Sequence, residues 1–257
     1  MRQLAVGLVV LAAACSSKKE APANTAPKEV HVAAASDLTQ AFTEVGAAFE
    51  KKTGIKPNFN FSSSGLLAKQ VEQGAPLYLF AAANKSFVDQ VVKAGKCDAA
   101  TAQLYSRGRL VMWAKGGPPA KITDLVDPKY KRIGIANPDH APYGKAAKQA
   151  LEKAGIYEQV KDRLVLGENI SATMTYAKEG SVDVAFVALS LAISTDAQMY
   201  SPVELDLHDP LEQTLVVCGK GPEADAAKQL AEFIISTDGR TIMEHYGFST
   251  TGVMTQK

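Results

Sequence analysis

VHVAAASDLTQAF (Val30 to Phe42) and FNFSSSGLLAKQVEQGAP (Phe59 to Pro76) repeat one pattern. In each, a short apolar run ends in small hydroxyl residues and passes into helical spacing, which Ala41, Phe42, Val45 and Phe49 carry on from the first run. Strand, hydroxyl, helix, met twice, reads as successive βα units on a mainly parallel sheet. Either serine alone is an ordinary N-cap. Two such junctions on neighbouring parallel strands aim backbone N–H groups and hydroxyls into one crevice, where the helix dipoles favour an anion. The residues at the junctions, Ser36 with Asp37 and the 62–64 serines, offer donors without an obligatory Lys or Arg. Such a site suits a small oxyanion held by neutral hydrogen bonds.

Working outward, strands are expected at Val30 to Ala35, Pro57 to Phe61, Leu77 to Ala83 and Arg109 to Ala114, with helices at Leu38 to Lys52, Gly65 to Gln73, Lys85 to Ala94 and Asp98 to Tyr105. GGPP (Gly116 to Pro119) is a break. A second βα series then begins, with strands at Arg132 to Ala136, Arg163 to Gly167 and Asp183 to Leu189 and helices at Lys145 to Ala154 and Ser171 to Lys178. Tyr200 to Leu211 reads as loop, Thr214 to Gly219 as a late strand, and Glu223 to Ile235 and Gly239 to Tyr246 as closing helices. The fold class is therefore α/β with two lobes: residues 29–107 plus 214–257 in the first and 108–213 in the second, the ligand lying between them at the carboxyl ends of strands. The second lobe offers matching junctions in NPDHAPYGKAA (Asn137 to Ala147) and GENISATM (Gly167 to Met174), with Asn169 or Ser171 as a helix cap.

The balance of 28 Lys plus Arg against 27 Asp plus Glu gives no electrostatic footprint for nucleic acid. Beyond the first fourteen residues no window approaches the ~20 consecutive apolar residues of a spanning helix. Those residues, with Arg2 ahead of an apolar run from Leu4 to Ala14, read as a signal peptide. The run ends in LAAAC, which resembles a bacterial lipoprotein signal with Cys15 as the lipidated residue; ordinary secretion is the alternative. Residues 15–28, rich in polar residues, then form a tether. Export leaves Cys97 and Cys218 as an even pair, open to a disulfide or to two buried free thiols. Neither lies in a metal or redox motif.

Enzyme constellations are missing: there is no Walker loop, dinucleotide fingerprint, nucleophile elbow or zinc-protease motif. His31, His140, His208 and His245 are widely spaced and read as surface or packing residues. A hydrolase using a serine of the 62–64 cluster would lack a recognisable general base.

Taken in order, VHVAAASDLTQAF, FNFSSSGLLAKQVEQGAP, GRLVMWA, NPDHAPYGKAAKQAL, GENISATM, VDVAFVALS and HYGFST resemble the periplasmic molybdate-binding proteins of bacterial ABC importers, over nearly all of Glu29 to Phe248. The resemblance implies a type II periplasmic-binding-protein fold, two lobes closing on a tetrahedral dianion. It implies molybdate, with tungstate, as ligand, an ABC permease as partner, no cofactor, no protein-ligated metal cation, no enzymatic activity and a monomer at the outer face of the membrane. Phosphate or sulfate is the alternative ligand. Carried across, Ser36 and Ser63 would contribute hydroxyl and amide, and Tyr143 and Ile170 backbone N–H groups. A tyrosine used by some members falls at Ala188, so that contact is missing, and the Asp37 amide is nominated instead. The Asp37 carboxylate could face the pocket, which would favour a protonated oxyanion such as phosphate, or turn outward as a cap; the resemblance favours the outward position.

Overall fold

The computed structural model describes residues 27–252; the signal peptide, Cys15 and nearly all of the tether lie outside them. Ten strands run in chain order: β1 (Glu29–Ala35), β2 (Lys56–Ser62), β3 (Leu79–Ala82), β4 (Gln103–Gly108), β5 (Leu110–Trp113), β6 (Ile133–Ala136), β7 (Leu164–Gly167), β8 (Val184–Ala188), β9 (Tyr200–Pro202) and β10 (Leu211–Val217). The helices are α1 (Thr39–Thr53), α2 (Ser64–Glu72), α3 (Lys85–Lys93), α4 (Pro142–Lys153), α5 (Tyr157–Val160), α6 (Ile170–Glu179), α7 (Leu189–Ala192), α8 (Pro222–Ile235) and α9 (Thr237–His245).

Two five-stranded sheets result, in the orders β2-β1-β3-β10-β4 and β7-β6-β8-β5-β9. Each defines a lobe. The chain passes between them at Arg109, from β4 to β5, and returns through the segment between β9 and β10. The first sheet takes in Gly108 and Leu211 to Gln213, which the sequence reading put in the second lobe. Both sheets are mixed rather than mainly parallel: β10 runs antiparallel to β3 and β4, and β5 antiparallel to β8 and β9.

Burial explains why β1 is a strand although three of its seven residues are alanine. Val30, Val32 and Ala34 point into one apolar cluster, while Ala33 points into a second with Leu67, Phe80, Val88 and Val216. Alternation across a pleat covered on both faces produces a continuous apolar run. Small residues let helices approach closely on either side.

Two expectations are corrected. The helix expected over Asp98 to Tyr105 is a single 3-10 turn at Ala99–Thr101 followed by β4, the last strand of its sheet, paired with β10 and bridged at Arg107 to Ser249. The expected loop over Tyr200 to Leu211 contains β9, whose three residues pair with β5 at the other sheet's edge. Cys97 and Cys218 are joined by a disulfide that ties the segment before β4 to the end of β10.

Candidate functional site

Register places the first-lobe serines side by side. Ala35 is the partner of Ser62 in the parallel ladder of β1 and β2, so the next residues, Ser36 and Ser63, leave the sheet at one level. The second lobe repeats the device: Ala136 pairs with Gly167, and the chain turns from there into α4 and α6. Ser36, Asp37, Ser63, Tyr143 and Ile170 all line one cleft, together with Ala35, Ser62, Ser64, Ala83, Ala141 and Pro142. Ala188 is not among them.

The cleft is small. About 10 Å³ is open to the centre of a water molecule, which corresponds to a cavity roughly 3 Å in radius. That is room for one small tetrahedral oxyanion. No Lys or Arg lines it, so attraction for an anion comes from hydroxyls and from the positive ends of helices. Pro142 opens α4, a position where a missing N–H costs nothing and the fixed backbone angle starts the helix.

The hydroxyls at these helix starts are not caps. Ser63 occupies the N-cap position of α2 without a side-chain capping bond, and Ser36 lies inside a 3-10 turn whose N-cap is Ala35. Of the two caps considered for α6, Asn169 is the one used: its Oδ1 accepts from the Ala172 N–H at 2.9 Å. Ser171 reaches across the cleft and donates to the Ser36 carbonyl at 2.9 Å.

Further bonds join the lobes. The Ser190 hydroxyl donates to the Asp37 carbonyl at 2.6 Å, two residues after the position of the missing tyrosine. The Gly65 N–H donates to the His140 carbonyl at 2.9 Å. His140 Nδ1 lies 2.8 Å from Ser63 Oγ, so this histidine is a cross-cleft partner rather than an ordinary surface or packing residue. Glycine is required at 65 because an added Cβ would lie 2.9 Å from both the Cβ and the carbonyl oxygen of His140.

Asp37 departs from the outward, capping position that the resemblance favoured for its carboxylate. It neither caps a helix nor turns outward; it is buried, with Oδ2 accepting from Gln213 Nε2 at 2.6 Å. The Tyr143 hydroxyl lies against the carboxylate without closing a full hydrogen bond on Oδ1. Burial raises the Asp37 pKa to about 7, and Tyr143 and Gln213 only partly oppose that. Burial also pushes the Tyr105 and Tyr143 phenols well above their ordinary range, the charge of Asp37 adding to the effect. The Tyr143 ring is thus not idle, as an amide-only role would have it; it packs its hydroxyl over Gly108, where any side chain would collide with it.

The chain matches, over residues 30–249, the family described as bacterial extracellular solute-binding protein. It belongs to that family. Among curated relatives, this solute-binding protein is 33% identical over 225 residues to the molybdate-binding protein of Rhodobacter capsulatus, covering 86% of this chain and 88% of the relative. It is 32% identical over 228 residues to that of Azotobacter vinelandii, covering 86% and 89%. The periplasmic molybdate-binding protein structure from A. vinelandii superposes with a TM-score of 0.80 at 22% identity, covering 85% of this chain and 98% of that one, which establishes the shared fold.

Sequence reasoning named Ser171 only as a candidate cap and His140 only as a surface or packing residue, and missed Ser190, Tyr105 and Gln213. The PDH spacing ahead of the second-lobe helix start was the one local signal for His140; Gln213 had none, since it stands 176 residues from Asp37.

Proposed function

We propose that this protein captures molybdate, and tungstate with it, outside the cytoplasmic membrane and delivers it to an ABC permease. The observation that supports this is the cleft itself: a cavity of one-oxyanion size between two lobes, lined by serine hydroxyls and helix starts and free of Lys and Arg. The names of the relatives point the same way. In this reading Ser36 and Ser63 donate from hydroxyl and amide, and Asp37, Tyr143 and Ile170 from the backbone. The protein works as a monomer of two lobes, 29–108 with 211–252 and 110–202, and Cys15 carries the lipid that holds it at the outer face of the membrane.

It acts as a carrier and not as a hydrolase. The Ser63–His140 contact supplies the base that the sequence lacked. Yet among the described residues no carboxylate holds the other ring nitrogen.

Isothermal titration calorimetry with molybdate, tungstate, sulfate and phosphate tests the proposal. Submicromolar binding of molybdate and tungstate with weak or no heat from the others is expected; tight phosphate or sulfate binding without molybdate would overturn it.

A further inference from the structure

Five buried polar side-chain atoms without a hydrogen-bond partner gather behind the cleft: Asp37 Oδ1, Tyr143 OH, Gln213 Oε1, Tyr105 OH and Ser106 Oγ. Elsewhere among the described residues only His208 Nε2 is in that condition. Buried polar groups mostly find partners, and Asp37 supplies the one carboxyl among these atoms. The cluster sits where the chain passes between lobes, on β4 just before the Arg109 crossing and on β10 just after the return. Asp37, Tyr105, Ser106 and Gln213 belong to the first lobe; Tyr143 comes from the second. Tyr143, brought from the second lobe, lies against the buried carboxyl.

We propose that closing the two lobes over an oxyanion takes up one proton on Asp37, whose carboxyl is shut between Gln213 and Tyr143 with no cation beside it. This rests on the oxyanion-binding function proposed above.

The charge environment supports it. Tyr143 and Tyr105 are the titratable groups that act on Asp37, and neither is a cation. On the elements packed against the 36–38 turn, the charged residues of α1 (Glu44, Glu50, Lys51, Lys52), of α6 (Lys178, Glu179) and of β2 (Lys56) are exposed, and α7 carries none. On β4, Arg107 is engaged by Glu212 of β10 at 3.5 Å. His140, ahead of α4, is turned to Ser63. A carboxylate left charged in this enclosure would face an incoming dianion without compensation. A protonated carboxyl has an O–H to donate and an acceptor oxygen left for Gln213, which reduces the number of unpartnered atoms.

On this proposal, parting the lobes returns Asp37 to water and to the ordinary carboxylate value of 3.8, whereas in the closed structure burial holds it at about 7. The closed form therefore holds the extra proton between those values, and affinity is greatest at the acid end. Raising the pH weakens binding by up to tenfold per unit until the closed-form value is passed, after which the loss levels off. From about pH 5.5 to about pH 7.5 the dissociation constant should rise roughly 20- to 100-fold, the upper figure applying if the dianion itself raises the closed-form value further.

Calorimetry of the full protein in buffers of different ionisation enthalpy counts the protons. The expected result is close to one proton taken up per anion near pH 6 and fewer above pH 8, with the uptake abolished in Asp37→Asn. No uptake by the wild-type protein, or undiminished uptake by Asp37→Asn, overturns the proposal. Should the variant fail to fold, the wild-type count alone decides. The count is made with whichever of the four oxyanions binds, so failure of molybdate alone removes the ligand assignment and leaves the proton tested; failure of all four removes both.

Discussion

Gly65→Ala separates the stability of the fold from the closing of the cleft. Gly65 lies in the first turn of α2 without a left-handed backbone angle, so alanine suits the helix and should stabilise it by about 0.5–1 kcal/mol. The new Cβ, however, would stand 2.9 Å from the His140 carbonyl oxygen and 3.0 Å from its Cα. Those are backbone atoms of the opposite lobe and cannot rotate away. Relief requires the lobes to part, which breaks the Gly65 N–H to His140 bond, worth about 0.5–1.5 kcal/mol, on top of about 1–3 kcal/mol of overpacking. Molybdate affinity should therefore fall by about 2–4 kcal/mol, on the order of 30- to 1000-fold. Titration calorimetry measures the loss, and thermal unfolding without ligand should show a melting temperature equal to or above that of the wild type. A dissociation constant within about twofold of wild type would refute the reasoning, because it would mean that Gly65 and His140 do not meet in the ligand-bound protein.

Further consequences can be checked on the same preparation. Ser36→Ala and Ser63→Ala should each cost about 1.5–3 kcal/mol of molybdate binding, read by calorimetry, as expected for removing a donor to a charged ligand. Tyr143→Phe should cost much less, since it removes a hydroxyl that lacks a full hydrogen bond; if it proves the most damaging of the three, the ring contacts the ligand. Replacing Cys97 and Cys218 together by alanine opens a link spanning 121 residues and should destabilise the protein by about 2–5 kcal/mol in denaturant titrations, with molybdate affinity preserved because the disulfide lies away from the cleft. Asp37→Asn should leave stability unchanged near pH 4. With saturating molybdate holding the lobes closed, it should then become increasingly stabilising as pH rises toward 7, because Asp37 of the closed protein, titrating at about 7, holds a proton the unfolded chain has already released. The gain should level off above that at roughly 2–4 kcal/mol, and a flat difference across pH in thermal scans would exclude the buried carboxyl as its source.

The parts of the fold legible from sequence are those whose signal is local. β6 and β8, and β1 from Val32 onward, are covered on both faces and write themselves as unbroken apolar runs, and α1 shows its buried stripe through Phe42, Val45 and Phe49. β4 failed because an edge strand, QLYSRG, mixes polar and apolar residues and follows a segment rich in alanine; β9 failed because three residues carry no period. At the site, the serine junctions and the cleft-lining residues were readable, since strand-to-helix boundaries are written in small and hydroxyl residues. Their partners were not. Ser171 with Ser36, Ser190 with Asp37 and His140 with Ser63 are pairs across the cleft, separated by 135, 153 and 77 residues, and no spacing rule relates them. The Asp37 carboxylate was misplaced for the same reason: its direction is fixed by Gln213 on a strand that returns from the other lobe.

Those cross-cleft pairs also bear on how a site without cations can choose between dianions of equal charge. Charge attracts molybdate and sulfate alike, so discrimination has to come from the distance at which closing stops. The Gly65 N–H already meets the His140 carbonyl at 2.9 Å, and the backbones there leave no space for even a methyl group. Closing therefore ends on backbone contact, not on the ligand. The donors proposed at Ser36 and Ser63 on one side and at the starts of α4 and α6 on the other are then held at a fixed separation. An anion smaller than that separation cannot draw them inward; it satisfies one lobe and leaves the other at distances where hydrogen bonds weaken steeply. A stop made of side chains could yield and follow the smaller anion, whereas a stop made of two backbones converts a difference in anion radius into lost hydrogen bonds.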